Sequence, residues 1–144
     1  MTQEEKELLL KDLCARLPYG VICKDTNINV TGTLSQIGLH YDMCVLDKDN
    51  GDSESCYILN CKPYLFPLSS MNDEMWDKEF MGCNITEFTR DSFKYGCETL
   101  EFNNDNPDLS SMVSFINQLI KNHFDVNGLI PMNLANDATN KNIY

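Results

Sequence analysis

The sequence is poor in basic residues, histidine and tryptophan: 11 lysines and arginines stand against 22 acids, with two histidines and one tryptophan in 144 residues. A net charge of −11 argues against direct nucleic-acid binding, which needs clustered lysine and arginine to neutralise phosphate. No apolar run approaches the roughly 20 residues that span a bilayer, so no membrane association is expected. The N-terminal stretch Met-Thr-Gln-Glu-Glu-Lys-Glu is acidic and carries no apolar signal core. Neither Gly-x-x-x-x-Gly-Lys nor Gly-x-Gly-x-x-Gly occurs, which removes the common phosphate cradles. No cysteines are spaced Cys-x-x-Cys, and their total of seven is odd. Both facts point to reduced thiols, mostly buried as small hydrophobes, in a cytoplasmic protein. Cys56 and Cys61 can be joined on paper to His40 or His123, but the spacing matches no common zinc site. No metal and no cofactor are expected.

What is present suffices for a core. Apolar residues make up 42% and aromatics 10% of the chain, so one domain over residues 1–135 is expected, followed by a mobile polar tail, 136–144. Thr2 and Glu5 form a Thr-x-x-Glu capping box for a first helix. Leu9, Leu10, Leu13, Cys14 and Leu17 give it an apolar face, with Lys6, Asp12 and Arg16 outside that face, and Pro18 stops it. Strands are expected at 19–23, 30–37, 43–47 and 56–60, with a bend or bulge at Gly32 and a hairpin at Asn50-Gly51. The densest apolar run, Cys61 to Met71, holds Pro63 and Pro67 and continues extended. Its prolines place it at a sheet edge or strand end. That run reads as the junction between a strand-rich half and a helical half.

Ser70 is the expected cap of a second helix, 72–81, with Trp76 packed on the sheet beside Tyr64 or Phe66. Residues 83–104 favour one or two further strands. Asn106-Pro107-Asp108 starts an amphipathic helix to about Asn122, followed by Gly128 and the apolar clip 129–132. The fold class is α+β: a small, strongly bent antiparallel sheet or SH3-like or Sm-like barrel, with an N-terminal helix and packed C-terminal helices.

Candidate chemistry is sparse. Lys62 beside Tyr64, with Arg90 and Trp76, is a candidate pocket for a small anionic ligand. His40 and Asp42, on the connection between two strands, are the candidate rim of that pocket. Asp73, Glu74, Asp77 and Glu79 project from one short helix, and such a row is either a solvated face or a mimic of a polyanion. A Cys–His enzyme would need a local signature that neither histidine has.

Four stretches together, Leu17 to Lys24, Gly32 to Leu39, Lys62 to Met71 and His123 to Ile130, resemble a family of small uncharacterised proteins. These are encoded by gut Bacteroidetes and by their phages and mobile elements. The match runs from about residue 6 to 135. The chain departs from the family where Val126-Asn127 replaces a Tyr-Arg pair and where the insert 81–104 is longer. The resemblance implies no activity. It implies a phage or mobile-element setting in the cytoplasm of a bacterial host cell. The expected function is a non-enzymatic binding protein that engages a host factor, with blunting of host defence as its purpose. A binder that sequesters a nucleotide-like signal is the alternative, and a Cys–His enzyme the second alternative. Self-pairing through a sheet edge near Pro63 would make a homo-oligomer.

Overall fold

The computed structural model describes residues 1–38, 40, 42–80 and 109–144. The first helix, α1 (Gln3–Arg16), starts at the expected capping box: Thr2 Oγ1 accepts from Glu5 N–H at 3.2 Å and Thr2 N–H donates to Glu5 Oε2 at 2.6 Å. A 3-10 turn, Leu17–Tyr19, and Gly20 in the left-handed region (φ 68) lead into the sheet. The strands are β1 (Ile22–Asp25), β2 (Val30–Gly38), β3 (Met43–Asp47), β4 (Ser53–Tyr57), β5 (Cys61–Leu65) and β6 (Asn136–Asp137). Helix α2 (Asp73–Glu79) and helix α3 (Leu109–Lys121) complete the described elements. This is an α+β fold.

The strand order is β4-β3-β2-β1-β5-β6, antiparallel except for the β5–β6 pair. Among the described residues the ladder does not close into a barrel, and β4 and β6 are its edges. It is nonetheless bent. On a flat sheet β3 and β5 would lie about 14 Å apart, yet the sulfurs of Cys44 on β3 and Cys61 on β5 lie within 4.8 Å. Two features of β2 accommodate this. The register shifts between Leu34 and Gln36, so the bulge falls at Ser35 and turns both Leu34 and Ile37 towards the same core. At Gly32, the position expected to bulge, a Cβ would meet Asp47 O at 2.6 Å, so a side chain is excluded by the backbone of β3.

Pro63 lies on an interior strand and not at an edge. β5 pairs with β1 through Cys23↔Pro63, Lys24↔Lys62 and Asp25↔Cys61. Thr26 N–H bonds Asn60 O at 3.0 Å. The alternation therefore puts Cys23↔Pro63 at a non-hydrogen-bonded pair, where the missing N–H of proline is harmless. β4 starts three residues earlier than expected, because the hairpin closes at once: Gly51 N–H bonds Lys48 O at 3.0 Å with Gly51 at φ 86.

Two cores flank the Cys61–Met71 junction. One packs α1 (Leu9, Leu13) on the sheet, around Cys23, Leu34, Cys44, Leu46, Cys56, Ile58, Cys61 and Leu65. The other joins Leu68, Met71, Phe80, Phe115, Leu119 and Phe124, with Phe66 and Trp76 against it. Trp76 thus packs near Phe66 but on a helical core, stacked on Phe80 at 5.5 Å and tilted to Phe115 at 5.9 Å. The cap of α2 is Asn72, whose Oδ1 accepts from Met75 N–H at 2.8 Å. Ser70 lies in a preceding 3-10 turn and donates its hydroxyl to Pro67 O. Residues 136–144 do not trail away. β6 pairs with Tyr64 and Leu65, and Tyr144 donates its hydroxyl to Tyr64 O at 2.7 Å.

The largest departure is on α1. Asp12 and Arg16, expected outside the apolar face, are 1% and 0% exposed. They share the helical face of Leu9 and Leu13. Arg16 donates Nε and Nη2 to the two Asp12 oxygens at 2.7 and 3.0 Å, and it reaches Ile120 O and Phe124 O at 3.1 and 2.7 Å. Arg16 thereby adds a second donor to carbonyls at and just after the end of α3, which also accept from His123 N–H and Val126 N–H. Residues 81–108, with the strands expected at 83–104, the Asn106-Pro107-Asp108 helix start and Arg90, lie outside the described residues.

Candidate functional site

A half-open groove lies beside the junction. One wall is Pro67, Leu68 and Ser69; the other is Gly128, Ile130 and Pro131, with Asp125 between them. Its volume is about 280 Å³. The first wall is set by Pro67 in extended conformation (φ −61, ψ 145) followed by a 3-10 turn at Leu68–Ser70. The second is a loop fastened on Asp125: its Oδ1 accepts from Leu129 N–H and its Oδ2 from Ile130 N–H, both at 2.8 Å. The walls are tied together where Phe66 N–H bonds His123 O at 2.9 Å and Asp125 N–H bonds Phe66 O at 2.8 Å. The groove presents proline and aliphatic side chains. Its one carboxylate is occupied by backbone donors.

The sequence-predicted site residues come together only in part. Lys62 and Tyr64 share one face of β5, Lys24 stands directly opposite Lys62, and Lys141 Nζ lies 5.1 Å above the Tyr64 ring. Lys62 Nζ donates to Asn133 Oδ1 at 2.9 Å, and Tyr64 is 8% exposed. Asp42 has a separate partner, Lys6, whose Nζ lies at 2.6 Å. His40 is exposed in a turn, and Trp76 belongs to the second core. The sequence predicts a pocket beside the junction with Lys62 and the 38–42 connection at its rim. The groove is at that junction, but Lys62, His40 and Asp42 do not line it.

His123 sits where α3 ends. Its φ of 61 is left-handed, the conformation usual for glycine after a helix. His123 N–H bonds Ile120 O and Phe124 N–H bonds Leu119 O. The ring stacks on Tyr144, with centroids 4.2 Å apart and planes at 13°, and among the described residues its Nδ1 has no hydrogen-bond partner. Burial, with the adjacent Arg16 charge, pushes its pKa down to about 4 although Asp12 acts the other way.

The cysteines converge in a way their spacing does not announce. Cys44 and Cys56 are direct partners across β3 and β4, with Sγ atoms 3.3 Å apart. A 3-10 corner, Ile58–Asn60, turns the chain so that Cys61 joins them, all three sulfurs lying within 4.8 Å of one another. The buried Cys23 lies on the neighbouring strand β1, on the same face and diagonal to Cys61. Neither histidine takes part, so Cys56 and Cys61 meet as imagined but with Cys44. The Cys56 thiol is pushed up to about 12 by its hydrogen bond with Cys44 and by burial, against an opposing bond with Cys61. The Cys44 thiol also rises to about 12: its bond with Cys56 acts downward but is outweighed by its bond with Cys61, burial and nearby negative charge.

Compared with known proteins, the chain matches no family model, no curated protein and no solved structure. Among the described residues, no helix is long and apolar enough to cross a membrane.

Proposed function

We propose that this chain is a non-enzymatic binding protein that takes a short apolar segment of a partner protein into the groove between Pro67–Ser69 and Gly128–Pro131. The groove carries the reading. It is open, lined by proline and aliphatic side chains, and holds one titratable group, Asp125, already saturated by two backbone donors. Apolar contact in a concave site with a polar surround is the usual chemistry of peptide recognition. The net charge of −11 favours a partner that is basic around that segment. The thiols support a non-enzymatic role, since those of Cys44 and Cys56, with pKa values near 12, are protonated at neutral pH and poor nucleophiles. The partner class, a host protein in a bacterial cytoplasm whose capture blunts a defence, rests on the resemblance to phage and mobile-element proteins.

The test is capture from host lysate by the tagged chain, compared with Ser69→Arg and Pro131→Glu. Both positions are exposed, so neither change disturbs a core. Tyr57→Ser, at the β4 edge, is the control. A partner held by wild type and control and weakened about tenfold or more by the groove variants is the expected result, corresponding to about 1.4 kcal/mol. Equal recovery by the groove variants would sink the reading.

A second reading has its own observation. In this acidic chain, Lys24, Lys62 and Lys141 gather around Tyr64 on one face. Like charges directly opposite across strands are unfavourable unless something bridges them, and a small anion such as a nucleotide-like signal would do so. Thermal unfolding against a nucleotide panel reads this directly. A raised midpoint that Lys24→Gln abolishes is the expected outcome, because a ligand that binds only the folded state stabilises it. A flat response across the panel removes the reading.

A further inference from the structure

We propose that Cys44, Cys56 and Cys61, with Cys23 as the fourth donor, form a buried thiolate site for a thiophilic d10 ion, Zn(II) above all, that ties the sheet together. The described buried cysteines are these four, and they are not scattered through the core. Three of them meet at one point although they come from three different strands, and Cys23, on β1, lies on the same face of the sheet, diagonal to Cys61. Three sulfurs lie within 4.8 Å of one another, the shortest pair at 3.3 Å. Tetrahedral zinc with Zn–S bonds near 2.3 Å needs sulfurs about 3.8 Å apart, a spacing those distances bracket. Small side-chain rotations therefore suffice.

A cross-strand disulfide fits less well. Ile58 N–H bonds Asp42 O and Lys48 N–H bonds Asp52 O, and the β3–β4 register is unbroken between them. The alternation then puts Cys44 and Cys56 at a hydrogen-bonded pair, where Cβ atoms are held about 5.5 Å apart. A disulfide needs roughly 3.5–4.5 Å. A metal reaches across the wider gap.

The exchange balances simply. Three S–H bonds give way to three Zn–S bonds, and the protons pass to the buffer. Cys23, diagonal to Cys61 on the same face of the sheet, would close the fourth position by the same exchange. A closed four-sulfur set is the pattern of a structural site. The net charge left on the site is then −2. Because the ligands come from β1, β3, β4 and β5, binding would hold the bend that brings β3 to β5.

The test uses the full chain, purified under reducing conditions and loaded with Zn(II) or Co(II) alone. The expected result is one Zn(II) per chain retained through desalting, and with Co(II) an intense sulfur-to-metal charge-transfer band with the d–d bands of a tetrahedral site. Cys56→Ser and Cys61→Ser should each lower Zn(II) affinity about tenfold or more, while Cys14→Ser, on an exposed cysteine, leaves it unchanged. Because a core variant can misfold, the wild-type cobalt spectrum decides alone. No charge-transfer band and no retained zinc in the folded wild-type chain overturns the site. So does a chain two hydrogens lighter until reduced, which would mean a disulfide.

Discussion

Replacing Arg16 with leucine should destabilise the fold by about 3–5 kcal/mol, the usual effect of breaking a buried ion pair on one side. Arg16 is fully buried, and its guanidinium holds both Asp12 oxygens together with Ile120 O and Phe124 O. Removing it leaves the Asp12 carboxylate buried with Asn127 Nδ2 at 2.9 Å as its remaining side-chain donor among the described residues, and takes one donor each from Ile120 O and Phe124 O, which keep His123 N–H and Val126 N–H. The double variant Asp12→Leu/Arg16→Leu should recover part of the loss, since no uncompensated charge remains. Urea unfolding checks both, read as a lower midpoint with an unchanged slope. A loss below about 1 kcal/mol for Arg16→Leu, the range of an exposed pair, would mean that the pair is not enclosed.

Acid should weaken the protein through His123. Its folded pKa is about 4 against an ordinary value of 6.5, so the unfolded chain binds the proton first. The stability due to the neutral ring is complete above pH 6.5 and is lost progressively as pH falls towards 4. The depression corresponds to roughly 3 kcal/mol over that window. The groups facing the ring are Arg16, Asp12 and Tyr144. The charge of Arg16 opposes an imidazolium, and Asp12 only partly offsets it. His123→Asn is the informative substitution, because asparagine tolerates the left-handed backbone at this position. It should abolish most of the fall between pH 6.5 and 4.5 while leaving carboxylate titration in place. An identical pH slope in the variant would rule out His123 as the source.

How much could be read in advance depended on the range of the interactions. The Thr2–Glu5 box, the β3 strand and the Asn50-Gly51 hairpin are local devices, and the structure has them where the sequence puts them. Local choices between near-equivalent residues were less legible. Ser70 and Asn72 are both good caps, and Asn72 wins because Ser70 is drawn into a 3-10 turn closed on Pro67 O. Asp12 and Arg16 are buried although charge alone predicts exposure. Their spacing with Leu9 and Leu13 already placed them on the buried face, and only the carbonyls of Ile120 and Phe124, more than a hundred residues away, explain the burial.

The candidate sites follow the same rule. The junction Cys61–Met71 could be seen as a pivot from its prolines and aromatics, and the groove lies beside it. Its second wall depends on Asp125 capturing Leu129 and Ile130 N–H, a fastening that no spacing rule flags. The thiol cluster needs the sheet bend and the β3–β4 register at once, so cysteines apart in sequence revealed nothing alone. The polar end of the chain read as a mobile tail, but Tyr144 reaches back to Tyr64 O and stacks on His123, contacts that become visible only once β5 and the end of α3 are side by side.

The central claim is that the groove between Pro67–Ser69 and Gly128–Pro131 is the partner-binding surface. Backbone amide exchange of the chain alone and with its captured partner tests it most directly. The account predicts protection concentrated at residues 68–70 and 128–132, with the β4 edge, Ser53–Tyr57, exchanging as in the free chain. Protection at β4 with none at the groove would contradict it.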